Sequence, residues 1–126
     1  MVIRSALVIS ALLVAAVMLP ATANAQSNPG ELLFKQRCAA CHVVTAGGQP
    51  GPMAPNLRGV VGRKAAASAF KNYSQAMANS KVTWTAANLD KFLTSPGKMI
   101  PGTRMVIGVA DAKQRAALIA YLATQR

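Results

Sequence analysis

Cys38-Ala39-Ala40-Cys41-His42 is the most informative stretch of this 126-residue chain. Two cysteines separated by two residues and followed at once by a histidine form the C-x-x-C-H attachment sequence of c-type haem. On one helical turn the two thiols can add to the two vinyl groups of a porphyrin, and the next imidazole then lies under the iron. The motif therefore predicts one haem c, bound covalently through Cys38 and Cys41, with His42 as the proximal iron ligand.

Three other uses of the cysteine pair fit less well. A thioredoxin-like redox pair sits in a strand–helix unit, and strand patterns are scarce here. A structural zinc ion needs about four protein ligands, whereas the chain has two Cys, one His and three Asp or Glu residues. A structural disulfide would have no use for the adjacent histidine. Because His42 is the only histidine, bis-histidine ligation, a second haem and a hydrolase triad are excluded as well.

The distal iron ligand must be Met, Lys or absent, and Met105 is the best candidate. It follows Pro101-Gly102-Thr103-Arg104, a turn-forming stretch between two helical patterns. Met53 lies too close to the attachment motif in sequence, Met77 belongs to a short helical pattern, and Met99 is the nearest rival. A neutral sulfur ligand stabilises ferrous iron and raises the reduction potential.

The N-terminus has the pattern of a secretory signal peptide. Arg4 provides a positive charge, a long apolar run follows, and Ala23-Asn24-Ala25 offers small residues for cleavage before Gln26. An uncleaved membrane anchor is the alternative, but the apolar run from Ala6 to Leu19 is too short for it. A helix that spans the membrane needs ~20 apolar residues. We therefore predict a cleaved signal over residues 1–25, export to the periplasm and one domain over residues 26–126.

The charge of the chain points to acidic protein surfaces as partners. Without Arg4, 13 basic residues stand against three acidic ones, a net charge of 13 − 3 = +10. The basic residues are spread singly and the chain is exported, which argues against nucleic acid as a partner. A positive protein is instead steered towards negative surfaces. Four cations are expected around the exposed haem edge: Arg37, Lys98, Arg104 and Lys113.

Apolar spacing and capping signals predict an all-α fold of about four to five helices. Helices are expected from about Pro29 to Cys41, Ser74 to Asn79, Thr85 to Ser95 and Asp111 to Thr124. Residues 43–72 are rich in Gly and Pro and are predicted to form a long loop that packs around the haem.

Further motifs occur in order along the chain. They are Gly30, Phe34, Pro55-Asn56-Leu57-Arg58-Gly59-Val60-Val61-Gly62-Arg63-Lys64, Tyr73-Ser74, Trp84, Pro101-Gly102-Thr103-Arg104-Met105 and Arg115-Ala116-Ala117-Leu118-Ile119-Ala120-Tyr121-Leu122. From Gly30 to Leu122 the chain thus resembles the class I cytochrome c family of mitochondrial carriers and soluble bacterial relatives. The resemblance implies a small cytochrome c fold around one covalent haem, and an electron carrier rather than an enzyme.

The resemblance also implies roles for individual residues. Met105 matches the distal ligand, and Thr103 lies beside it in the loop at the cofactor. The Pro55 carbonyl is expected to accept a hydrogen bond from His42. The stretch from His42 to Pro55 is one residue longer than in the mitochondrial carriers, and Ala54 stands where a Gly usually precedes that Pro. Gly51-Pro52 resembles the usual pair, so Pro52 is a second, weaker candidate for this role. Three residues match those that surround the inner haem propionate with donors and charge: Arg63, Tyr73 and Trp84.

Two departures from the family pattern predict a raised reduction potential. Phe92 stands where the family commonly has a Tyr whose hydroxyl contacts the Met sulfur, and Met77 replaces an Asn that helps to hold an internal water. Both changes make the haem pocket more apolar, which disfavours the charged ferric haem.

The expected function is one-electron shuttling, with a bc-type complex as donor and a terminal oxidase or photosynthetic reaction centre as acceptor. The carrier is expected to be a monomer, peripheral to the membrane, that meets the acidic faces of these complexes. Two alternatives stay open at this stage. One is a haem enzyme or gas-binding cytochrome with a labile distal site, and the other is a subunit or docking module of a larger oxidase.

Overall fold

The computed structural model describes residues 26–126, so the predicted signal peptide lies outside the described residues. Within this range the secondary structure consists of five helices and one isolated antiparallel bridge between Lys64 and Thr83. The predicted all-α class is confirmed. None of these five helices has the length and apolar character needed to cross a bilayer. The helices are α1 Pro29–Arg37, α2 Gln75–Asn79, α3 Ala86–Thr94, α4 Pro96–Met99 and α5 Ala112–Thr124.

Polar side chains cap the predicted helices. The Asn28 Oδ1 accepts a hydrogen bond from the Gly30 amide at 2.9 Å, and a proline occupies the first helical position. Ser74, Thr85 and Asp111, at which helices are expected to begin, are the N-caps of α2, α3 and α5. Each side-chain oxygen accepts a hydrogen bond from the amide three residues further on, at distances of 2.7 to 3.1 Å.

The helix before the attachment motif ends earlier than predicted, at Arg37 rather than Cys41. The amides of Cys38 and of the next residue both bond to the Phe34 carbonyl, at 2.8 and 2.9 Å, so the regular ladder of one bond per carbonyl stops there. The His42 amide then bonds to the Cys38 carbonyl at 2.8 Å and closes a separate turn. The attachment motif therefore occupies this turn rather than the helix itself.

The sequence-based prediction misses α4. Pro96-Gly97 is expected to stop the preceding helix, and α3 does end at Thr94, but Pro96 then begins a new four-residue helix. A proline lacks an amide proton, and at the first helical position that proton would have no intrahelical partner. The same residue thus ends one helix and begins the next.

The crossing of α1 and α5 forms one side of the core. Phe34 and Tyr121 pack with their ring centroids 5.8 Å apart, and Gly30 lies against the backbone of Ala117. α3 packs on α5 as well. The buried apolar residues around these contacts are Leu33, Val60, Trp84, Leu89, Phe92, Leu93, Ile100, Val109, Leu118, Ile119 and Leu122.

Candidate functional site

An apolar cavity of about 410 Å³ lies between the irregular segment after α1 and the helices α3 and α5. A volume of several hundred Å³ with mostly hydrophobic walls is typical of sites for small molecules and cofactors. The walls are made mainly by Leu57, Val60, Trp84, Leu89, Phe92, Leu93, Val109, Leu118 and Leu122.

Cys38, Cys41 and His42 line this cavity together. The two sulfurs are unpaired thiols. The Nδ1–H of His42 donates to the carbonyl oxygen of Pro55 over 2.8 Å, and a carbonyl can only accept, so Nδ1 must carry the proton. The other ring nitrogen, Nε2, is therefore left with a lone pair. Of the two prolines left open by the sequence, Pro55 is the one whose carbonyl holds the ring.

Asn56 holds the Pro55 loop in place, a role that the sequence analysis does not assign. Its side chain is buried and its Nδ2 donates to the carbonyls of Thr45 and Gln49, both at 2.9 Å. Its Oδ1 accepts the Arg58 amide at 2.9 Å. One amide side chain therefore joins three points of a segment without regular secondary structure. An Asn directly after a Pro in a Gly- and Pro-rich stretch is the one sequence signal that could have indicated it.

Burial sets the protonation of the proximal groups. It lowers the pKa of His42, while the hydrogen bond to Pro55 acts in the opposite direction and is the smaller effect. The imidazole is therefore neutral near pH 7, which is the form that binds metals. Burial also raises the pKa of Cys38, against a smaller opposing influence of Arg37, so that cysteine is held as a thiol.

Met105 lines the same cavity from the loop between α4 and α5. It is partly buried, packs against the core, and its amide donates to the Thr103 Oγ1 at 3.3 Å. Met77 also lines the cavity, and Met53 stands at its edge with 73% of its surface exposed. Met99 packs against the core outside the cavity lining.

The three residues expected near an inner propionate lie together at the cavity wall. The Trp84 amide donates to the Arg63 carbonyl at 2.8 Å. The Arg63 guanidinium donates to the carbonyls of Asn56 at 2.9 Å and Arg58 at 3.1 Å, which ties it to the proximal loop. The Tyr73 hydroxyl is 2.5 Å from the Ser68 Oγ.

The cavity opens at a rim that combines apolar and basic side chains. Val106 and Ile107 are 80% and 59% exposed, and the exposed Met53 belongs to the same lining. Arg37 and Arg104 are exposed cations of this lining. Of the four cations expected around a haem edge, these two line the cavity, whereas Lys98 and Lys113 are exposed outside it. The apolar part of the rim was not predicted.

The residues of this cavity fit a covalently held haem. Two unpaired thiols, an imidazole with a free Nε2 and a thioether share one apolar chamber. Imidazole and thioether are a recognised axial pair for haem iron, and paired cysteines are the attachment groups. The hydrophobic walls suit a porphyrin face.

The protein-family model for cytochrome c matches residues 27–126. The chain belongs to the cytochrome c family. Cytochrome c2 of Rhodomicrobium vannielii is 46% identical over 114 residues, which cover 88% of this chain and 90% of that protein. Cytochrome c of Cannabis sativa is 46% identical over 99 residues, covering 76% and 86%. The structure of cytochrome cH from Methylobacterium extorquens superposes with a TM-score of 0.67 at 39% identity, over 76% of this chain and 95% of that one.

Membership confirms the class I resemblance, the small cytochrome fold and the electron-carrier class. Cytochromes of this family carry electrons and are not enzymes, and they hold haem c covalently. Cys38 and Cys41 are the two cysteines present for that attachment.

Proposed function

We propose that this cytochrome is a soluble one-electron carrier whose haem iron is ligated by His42 and Met105. The observation that carries the proposal is that both side chains line one apolar cavity, with the Nδ1–H of His42 committed to Pro55. The haem supplies a reversible ferric–ferrous couple. Nitrogen and sulfur ligands from the same chain would leave the iron no open position for a substrate.

The chain's own residues account for easy electron exchange. Pro55 fixes the orientation of the His42 ring, and a hydrogen-bonded imidazole is a more basic ligand. The apolar walls keep water from the site and disfavour the extra charge of the ferric state. Cys38 and Cys41 would hold the cofactor in one position through both redox states. Little has to move when an electron enters or leaves.

The rim of the cavity supplies a docking surface for acidic electron-transfer complexes in the membrane. Arg37 and Arg104 provide positive charge that speeds encounter, and Val106 and Ile107 provide apolar contact next to the cofactor. A bc-type complex would be the donor, and an oxidase or reaction centre the acceptor. Docking by a small rim of this kind is weak and sensitive to salt.

The ligand assignment is tested with Met105→Ala and the matched variant Met99→Leu, which changes a partly buried methionine outside the cavity lining. The ferric protein is expected to show the weak near-infrared absorption of methionine bound to iron. Met105→Ala should lose that band and lower the reduction potential by a few tenths of a volt, since axial ligands tune haem over about 0.8 V. Met99→Leu should keep the band.

A high-spin ferric spectrum in the unaltered protein would contradict the carrier proposal. It would favour the alternative of a gas-binding or peroxide-reducing cytochrome with an open distal site. Gel filtration of the haem-loaded protein, with and without membranes, separates a free monomer from a fixed oxidase subunit.

We also propose that residues 1–25 are removed during export, so that the carrier works in the periplasm. Mass spectrometry of the mature protein tests the cleavage before Gln26 and the added mass of one haem together. A mass that still includes Met1 to Ala25 would indicate a retained anchor instead.

A further inference from the structure

The loop that carries Met105 returns to α5 along residues 106–111, and Arg115 of α5 bonds to this return. The Arg115 Nη1 donates to the carbonyl of Val109 at 3.0 Å and to the carbonyl of Ala110 at 2.7 Å. Both acceptors are backbone groups, so the bonds fix the course of the chain rather than a side chain. Arg115 thereby joins the loop to the first turn of α5.

The same segment, residues 106–111, also contacts the end of α3. The Val109 amide donates to the Leu93 carbonyl at 2.7 Å. Gly108 lies so close that a Cβ there would be 2.9 Å from the Leu93 carbonyl oxygen and 3.2 Å from that of Thr94. Gly108 and Val109 therefore lie against the end of α3, while Arg115 bonds to the carbonyls of Val109 and Ala110.

Asp90 of α3 orients the Arg115 guanidinium. The Arg115 Nε is 2.7 Å from the Asp90 Oδ1, with the arginine side chain 10% exposed and the aspartate 47% exposed. A nearly buried cation is costly without a partner, and a planar guanidinium bound at Nε has its remaining donors aimed in fixed directions. Here one of the remaining nitrogens, Nη1, donates to both loop carbonyls. The chain has only three acidic residues, and one of them occupies this position.

Before Met105 the loop has contacts of its own, because the Arg104 Nη1 donates to the Asn72 carbonyl at 2.6 Å and the Met105 amide donates to the Thr103 Oγ1 at 3.3 Å. After Met105, Val106 and Ile107 are largely exposed, so they offer few packing contacts. On this second side the position of Met105 depends on how the loop is held where it reaches α5. On the α5 side, the anchor is the contact made by Arg115 with Val109 and Ala110.

We propose that Arg115, held by Asp90, is a positioning residue for Met105 that sets how readily the methionine leaves the iron. The proposal rests on the ligand role proposed above for Met105. Neutralising Asp90 frees the guanidinium to turn away from the loop, and the loop then opens more often. Small ligands that compete for ferric iron gain access in proportion to the fraction of molecules in the open state.

The test compares Asp90→Asn with Glu31→Gln in the haem-loaded protein. Glu31 pairs with Lys35 on α1 at 2.6 Å, and its side chain is 42% exposed. Glu31→Gln changes the net charge by the same amount as Asp90→Asn. The probe is imidazole, which is titrated into the ferric protein while its binding is followed by the absorption spectrum. Asp90→Asn should bind imidazole about three- to tenfold more tightly, in line with a half-exposed ion pair. Glu31→Gln should bind it as the unaltered protein does.

Arg115→Lys supplies the second variant, because it keeps the charge but loses the two-nitrogen geometry. It should bind imidazole at least as tightly as Asp90→Asn, and its near-infrared methionine band should vanish at a lower temperature. Unfolding by denaturant is followed in parallel, so that a general loss of stability is seen separately. Equal imidazole affinities in all variants, with the methionine band intact, would overturn the positioning role alone. An unaltered protein without that band would overturn the proposed ligation and the inference together.

Discussion

Gly30 of α1 lies directly against the backbone of Ala117 in α5. A Cβ on Gly30 would collide with the Ala117 carbonyl oxygen and lie 2.6 Å from the Tyr121 Cβ. These atoms belong to the helix backbone and to the first carbon of a buried side chain, so neither can move aside alone. The distance between the two helices is therefore set by the absence of a side chain at position 30.

Gly30→Ala is expected to lower the free energy of unfolding by about 2–3 kcal/mol, the upper part of the range for overpacked cores. The gain in helix propensity from Ala, about 1 kcal/mol, offsets only part of the clash. Denaturant unfolding of the haem-loaded protein, followed by circular dichroism, measures the change. Gly97→Ala is the matched control, because a Cβ there meets nothing within 4 Å. A similar loss in both variants would show that the helix contact is not the cause.

Phe92→Tyr is expected to lower the reduction potential. Phe92 is buried in the cavity wall, with its ring centroid 4.9 Å from that of Trp84, so a hydroxyl added there is placed in the haem chamber. A polar group in the chamber favours the more charged ferric state. The expected fall is about 20–65 mV, the one-electron equivalent of a net hydrogen bond of about 0.5–1.5 kcal/mol.

Redox titration checks this prediction against Phe34→Tyr, which adds a hydroxyl to a buried ring outside the cavity lining. That control should leave the potential nearly unchanged. An equal or higher potential in Phe92→Tyr would show that the apolar wall does not raise the potential.

Asn56→Ala is expected to destabilise the protein by about 2–4 kcal/mol, because it removes one buried donor group and leaves two loop carbonyls unpaired. The effect should reach the haem, since the adjacent Pro55 carbonyl orients His42. Denaturant unfolding and the ferric absorption spectrum are the measurements. The exposed Asn79→Ala is the control and should change stability by about 0.5 kcal/mol or less. An Asn56→Ala protein as stable as this control would show that the Asn56 hydrogen bonds do not hold the loop.

Removing Arg37 and Arg104 together, as Gln, should slow oxidation of the ferrous protein by the anion hexacyanoferrate about fivefold at low salt. Oxidation by a cationic cobalt complex should become faster instead. Lys81→Gln with Arg126→Gln removes the same charge from exposed positions outside the cavity lining. If both double variants respond alike, net charge and not the rim controls the encounter. High salt should abolish the difference in oxidation rate between the two double variants.

The parts that the sequence predicts well are those in which a few adjacent residues determine the outcome. The attachment motif and the polar caps Ser74, Thr85 and Asp111 act over one helical turn, so their spacing alone indicates their place. In each case the regular helix begins one residue after the cap. The early end of α1 escapes prediction, because it depends on two amides sharing the Phe34 carbonyl rather than on any residue type.

The partners of the residues that support the site could not be predicted, because these partners are backbone carbonyls in segments without a periodic pattern. Asn56 and Arg115 both act in this way, on Thr45 and Gln49 in one case and on the return of the distal loop in the other. The apolar rim could not be predicted for a related reason. Residues such as Ile107 look like core residues until the fold leaves them outside.

The pairing of α1 with α5 also has a consequence in time. Tyr121 packs on Phe34, and it lies 80 residues after Cys41 in the chain. If residues 1–25 direct export as proposed, the N-terminal part of the chain crosses the membrane first, so Cys38 and Cys41 arrive before α5 does. Until α5 follows, α1 has no partner to cover it. The two thiols are thus presented on an open chain, where haem can be attached before the last helix closes the structure.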